Sequence, residues 1–420
     1  MSRFNSLNTA CMPIVMSWLL VACGGGGAGA PASSTISPVP SGPVSIAVAG
    51  GVGPTSAAAG STVEVWATVP AKTEIVMRWS GATLTSDEEE WHATLSVGTT
   101  QVSVRAERQV MDQVFETLSY SAPTSVVKTA RLYVPPSPRG LILFLHGTGG
   151  NSNFIESAEA RYVALKAISK GYAVLAPEAE ESKAGDLDGD GKPRWNVPLS
   201  IGNVDLQSVD ALLASLYSTG RLPANLPQFA LGMSNGGSMV VALGAVAASS
   251  QAAVFPRLRF KAVVSYCAQG RADAVSLTTT PTAWYLCGND DNIEVSNSNA
   301  QANSTALGAR GVPTQAMLHP ATPLFDDRFM RVAGINSAQS RAMSAEFRTA
   351  GWVDSTGFFN KPSSDIAALA AAAPAVFPML ASLTQTQQRE VFAQISVMRA
   401  EHQMFSDWAS RTLRWFEAYR

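Results

Sequence analysis

Phe229-Ala230-Leu231-Gly232-Met233-Ser234-Asn235-Gly236-Gly237 is an apolar run that breaks into Gly-x-Ser-x-Gly. It reads as a buried strand, one sharp turn carrying a serine, and a helix that starts at once. The flanking glycines are needed because the turn is too tight for side chains there. Strain at such a turn lifts the serine oxygen into the open, where a base and a carbonyl carbon can reach it. Ser234 is therefore the candidate nucleophile.

A second stretch lies upstream. Leu141-Ile142-Leu143-Phe144-Leu145 is continuously apolar, as expected of a strand buried on both faces of a parallel sheet. It breaks into His146-Gly147-Thr148-Gly149-Gly150. With these two motifs the chain resembles the α/β-hydrolase superfamily. The resemblance implies an oxyanion hole made from the backbone N–H groups of Thr148 and Asn235. Two fixed donors aimed at a developing negative oxygen are worth ~3 kcal/mol each. His146 is expected to scaffold the loop rather than act as a base.

The resemblance also implies the order serine, acid, histidine. The strand expected at Thr282–Cys287 ends in Gly288-Asn289-Asp290-Asp291-Asn292. This is similar to the Gly-x-x-Asp that follows the acid-bearing strand and puts Asp291 in the acid role. A shift of one residue in the turn exchanges Asp291 for Asp290. Of the histidines, His92 lies too early in the chain. His402 directly precedes a terminal segment with Phe405, Trp408, Leu413 and Phe416 at helical spacing. His319 competes from the end of a strand at Gln315–Leu318, but Pro320 follows it and no terminal helix does. His402 is thus the expected base. The implied reaction needs no metal or organic cofactor: Ser234 attacks an ester, His402 moves the proton, and the acid orients the imidazole.

The remaining sequence frames this unit. The chain has 420 residues and a net charge of −2, without a basic cluster, which argues against a nucleic-acid partner. Residues 1–22 read as an export signal too short to span a membrane. Leu20-Val21-Ala22-Cys23 resembles the bacterial lipobox, which implies lipidation of Cys23. Anchoring to a bacterial membrane, by expectation the outer one, would follow, with the Gly/Ser/Pro/Ala-rich residues 23–43 as a tether. In an exported chain Cys267 and Cys287, at the ends of successive strands, can form a disulfide or stay as buried thiols. Residues 44–107 alternate with period two, with Ile75, Met77 and Trp79 pointing one way, and resemble a small immunoglobulin-like module that would act as a spacer.

Residues 108–420 are expected to form the α/β-hydrolase domain, a mostly parallel sheet flanked by helices. The long segment 320–400 would be a helical cap, its Phe377, Met379 and Leu380 suited to an acyl chain. Asp186, Asp188 and Asp190 match the first half of an EF-hand calcium loop, although Val197 stands where the bidentate Glu belongs. Trp195 is expected either at the mouth of the site or in a structural role. The strings His-Gly-Thr-Gly-Gly and Gly-Met-Ser-Asn-Gly-Gly resemble the secreted polyhydroxybutyrate-depolymerase and feruloyl-esterase group. The expected activity is therefore hydrolysis of acyl or polymeric esters. A peptidase on the same triad and a binding protein with a degenerate hydrolase fold are the alternatives.

Overall fold

Alternation along the two key strands decides how the sheet is covered. In Gln228–Met233, the side chains of Phe229, Leu231 and Met233 enter one apolar core, while Ala230 enters another. In Leu141–Leu145, Ile142 and Phe144 join the first core, and Leu141, Leu143 and Leu145 the second. A strand apolar on both faces must be covered on both, at ~1.5–3 kcal/mol per fully buried large side chain. Helices Ala158–Ser169 and Ala409–Ala418 cover one face; Val204–Ser218 and Asn235–Val246 cover the other.

These features come from a computed structural model, which describes residues 42–121 and 123–420. The expected signal segment 1–22, the Cys23 lipidation site and the tether as far as residue 41 lie outside the described residues.

The first strands are β1 (Val44–Ala49), β2 (Gly51–Val52), β3 (Ser56–Ala57), β4 (Thr62–Ala67), β5 (Glu74–Ser80), β6 (His92–Ser96) and β7 (Val102–Val110). They form a four-stranded sheet β3-β1-β7-β5 and a three-stranded sheet β2-β4-β6. Then come β8 (Glu116–Tyr120), β9 (Lys128–Tyr133), β10 (Leu141–Leu145), β11 (Ala173–Ala176), β12 (Gln228–Met233), β13 (Phe260–Tyr266), β14 (Thr282–Cys287) and β15 (Thr314–His319). They build one eight-stranded sheet, ordered β8-β9-β11-β10-β12-β13-β14-β15. β8 and β9 pair antiparallel and β9 pairs antiparallel with β11; every other pairing is parallel. This is the α/β-hydrolase fold, with Ser234 at the turn from β12 into its helix.

Three expectations change. In β5 the alternation breaks at an irregularity between Val76 and Arg78. Ile75, Val76 and Trp79 are buried and Met77 is 41% exposed, because an extra residue in one strand turns the following side chain to the other face.

Second, the β module does not stand apart as a spacer. Its core is continuous with that of the large sheet. Lys166 donates to the carbonyls of Val76 and Glu89 at 2.7 and 2.8 Å. The Glu90 carboxyl group accepts the N–H groups of Ser410 and Arg411 at 3.1 and 2.9 Å. A carboxyl group supplied from another part of the chain thus caps the terminal helix, whose first N–H groups have no partner within it.

Third, residues 320–400 fold into helices Ser337–Thr349, Ser363–Ala372, Pro378–Ala381 and Gln385–Met398 around a core of their own. Phe377 and Leu380 are spent on that core, with Phe377 stacked on Trp352 at 4.3 Å between ring centroids. They line a separate cavity of about 260 Å³ that does not include Ser234.

Candidate active site

Ser234 holds the positive-φ position of the elbow, with φ 58° and ψ −124°. Its N–H donates to Tyr266 O at 2.8 Å, which ties the turn to β13. A Cβ on Gly232 would lie 2.3 Å from Gly236 O, and one on Gly236 would lie 2.4 Å from His146 O. Only glycine admits that approach, so both glycines of the motif are steric requirements.

His402 Nε2 lies 2.8 Å from Ser234 Oγ. On its other side, Nδ1 lies 2.9 and 3.0 Å from the two carboxylate oxygens of Asp290. The Asp290 side chain is 2% exposed and that of His402 is 15% exposed. The expected acid, Asp291, is exposed to solvent and takes no part. The reason for this correction is visible one residue earlier. Asn289 donates its N–H to Ala400 O at 2.9 Å and its side-chain amide to Arg399 O at 2.7 Å. These bonds seat the turn against the loop before His402, in a register that delivers Asp290 and turns Asp291 outward.

His146 is buried and does not reach Ser234 Oγ. Its Nε2 accepts the Ala179 N–H at 3.2 Å, so the proton sits on Nδ1, which donates to Gly147 O at 2.8 Å. Burial pushes its pKa down to about 4, against which the Gly147 hydrogen bond pulls upward. A neutral imidazole therefore pins the loop that carries the Thr148 N–H. The Asn235 N–H opens its helix, where first-turn N–H groups lack intrahelical acceptors. The Asn235 side chain accepts the Trp195 N–H at 2.7 Å, and Trp195 Nε1–H donates to His146 O at 2.9 Å. Trp195 is thus structural as well as lining the site: it links the two expected oxyanion elements.

Two cavities meet at Ser234 and Thr148. One, of about 680 Å³, runs past Trp195, Asn196, Asp205, Arg194 and Arg271. The other, of about 890 Å³, contains His402, Asn151, Phe154 and Met404. Lys72, just before β5, and Glu390, on helix Gln385–Met398, line it too and form an ion pair at 2.6 Å. This contribution has no signal in the sequence, where the two residues are far apart.

Cys267 and Cys287 form a disulfide, with Cα atoms 5.4 Å apart at the ends of adjacent parallel strands. The acidic loop gathers part of the expected calcium set. Asp186 spends its carboxylate on the N–H groups of Gly189, Asp190 and Gly191, at 2.8, 3.2 and 2.6 Å. Asp190 turns away to pair with Arg194. Glu181, rather than Asp190, completes a cluster with Asp186 and Asp188. Two of the three expected carboxylates, Asp186 and Asp188, therefore lie together, and Asp190 does not join them.

No family model matches the chain, and no curated protein matches it by sequence. Solved structures similar to part of it include an esterase of Pyrococcus furiosus, with a TM-score of 0.36 and 11% identity over 49% of this chain and 82% of that one. A carboxylesterase of Bacillus cereus matches with a TM-score of 0.33 and 15% identity over 49% and 85%. An inhibited esterase B of Lactobacillus rhamnosis matches with a TM-score of 0.35 and 16% identity over 50% and 76%.

Proposed function

We propose that the protein is a serine hydrolase that cleaves carboxylic esters through an acyl-enzyme, with Ser234, His402 and Asp290 as its triad. The observation that carries this reading is the unbroken relay from Asp290 through His402 to Ser234 Oγ, on a strained elbow. Ser234 attacks the ester carbonyl as His402 Nε2 takes its proton. Asp290 holds the imidazole in the tautomer with its free lone pair toward the serine and stabilises the imidazolium that forms. The N–H groups of Thr148 and Asn235 receive the oxyanion. His402 then protonates the leaving alcohol, and water repeats the cycle on the acyl-enzyme.

The proton must reach the leaving oxygen from His402, and His402 lines only the larger cavity. That side takes the alcohol portion and the smaller cavity takes the acyl portion. Both are open and carry polar groups, which suits an ester with substantial groups on each side of the carbonyl. Together with the two motif strings, this supports a place near the polyhydroxybutyrate-depolymerase and feruloyl-esterase group. The Cys267–Cys287 disulfide supports an exported protein, since such bonds persist in oxidising compartments. The lipobox-like Leu20–Cys23 supports a lipid anchor. We read the two small sheets as the immunoglobulin-like module of that exported chain.

Turnover on matched activated esters and amides tests the reading. Ester hydrolysis lost in Ser234→Ala supports it. Preference for the amide would favour a peptidase, and no turnover on either would leave a non-catalytic binding protein.

A further inference from the structure

A second histidine–carboxylate pair lies beneath the His402 loop. His319 ends β15, and its Nε2 stands 2.5 Å from Asp407 Oδ2. Their side chains are 2% and 3% exposed. Neither residue lines the cavities that meet at Ser234, so neither touches substrate.

The backbone around the pair gives it a further role. His319 O accepts the N–H of Gly288 at 3.0 Å, and Gly288 opens the turn that delivers Asp290. The approach is so close that a Cβ on Gly288 would lie 2.6 Å from His319 O. The side chain of the same histidine holds the opposite partner. It bonds Asp407 and stacks on Phe405 at 4.1 Å between centroids, and both belong to the loop that starts at His402. One residue therefore grips the acid turn with its carbonyl and the histidine loop with its ring.

Burial alone would raise the Asp407 carboxyl. The His319 charge and hydrogen bond, then Arg328 and His92, instead hold it far below the usual carboxylate range. The loop has another anchor nearby, where Ser406 N–H donates to Glu159 at 2.8 Å and Arg331 pairs with the same carboxylate at 3.1 Å. Loss of the His319–Asp407 bond therefore loosens the loop without releasing it.

We propose that His319 and Asp407 are positioning residues that set the separation between Asp290 and His402. This rests on the hydrolase reading. Misplacement of a reacting group by ~1 Å can cost on the order of 100-fold in rate. A looser Asp290–His402 contact also stabilises less the imidazolium that forms as the serine proton is taken.

The test compares the full chain with Asp407→Asn, His319→Gln and His319→Ala. Each is titrated with a fluorophosphonate so that kcat is counted per reactive serine. Asp407→Asn and His319→Ala should lose ~10- to 100-fold in kcat per labelled site with KM little changed. The acid limb of their kcat/KM profile should move to lower pH. His319→Gln, which keeps a donor near the Nε2 position, should recover much of the loss. Wild-type kcat per labelled site and an unmoved acid limb in both Asp407→Asn and His319→Ala would overturn the proposal, whatever happens to thermal stability. A wild-type chain that neither labels nor hydrolyses esters would overturn the hydrolase reading and this proposal together.

Discussion

Among the described residues, two histidines are hydrogen-bonded to a buried aspartate, His402 through Nδ1 and His319 through Nε2, and their surroundings give them opposite work. In His402–Asp290 the carboxylate is buried, but the ring keeps 15% of its side chain exposed and turns its far nitrogen to Ser234. In His319–Asp407 both side chains are sealed, and the far nitrogen, Nδ1, has no hydrogen-bond partner among the described residues. The first pair can pass a proton because a nucleophile and an open cavity lie against it. The second has no exchange partner and can only hold its neighbours in place. A histidine beside an acid is thus not a base until its other nitrogen faces something that reacts.

The largest expected difference between the pairs is at the reacting nitrogen. His402→Ala and Ser234→Ala should each lower ester hydrolysis by ~10⁴-fold or more, with circular dichroism and thermal melting close to wild type. A His402→Ala variant that keeps rapid acylation would break the comparison outright.

The acid comes next. Asp290→Asn should cost ~10³- to 10⁴-fold in kcat, because the wrong imidazole tautomer then faces the serine. Asp291→Asn should stay within about twofold, as expected of an exposed side chain without a partner among the described residues. Steady-state kinetics of the two variants side by side decides between these neighbours.

A smaller effect, on stability rather than rate, is expected from the disulfide. The bridged cysteines are 20 residues apart, and closing a loop of that size stabilises by about 3 kcal/mol. Denaturant unfolding of Cys267→Ala/Cys287→Ala should show a loss of that order. Residual turnover should persist at permissive temperature.

A further effect, on the pH dependence of stability, belongs to His146, which is neither kind of pair. Its folded pKa of about 4 lies below the ordinary value of about 6.5. The unfolded chain binds the proton first as pH falls, so this contribution to stability is complete above pH ~6.5 and is lost from there toward pH ~4. Melting temperatures across that window should fall less steeply in His146→Asn than in wild type.

What the sequence conveyed follows from the range of the forces involved. The elbow, the oxyanion loop and the strands carrying them are local: Gly232 and Gly236 sit where only glycine fits, and Leu141–Leu145 is apolar because both of its faces are covered. His402 was legible through the apolar spacing that follows it. The choice between Asp290 and Asp291 was not, since it depends on Asn289 bonding to Arg399 and Ala400 more than a hundred residues away. The same limit hid the Glu90 cap on the terminal helix and the Lys72–Glu390 pair at the cavity. Composition suggested a greasy cap over the site, but Phe377 and Leu380 are consumed by the core of that segment.

The central claim is that Ser234, made nucleophilic by His402, is the reactive group. Intact-mass and peptide mapping after treatment with a fluorophosphonate test it most directly. One adduct per chain is expected, on Ser234, formed by wild type and His319→Gln and not by His402→Ala. An unlabelled wild-type chain, an adduct on another residue, or equally fast labelling of His402→Ala would contradict it.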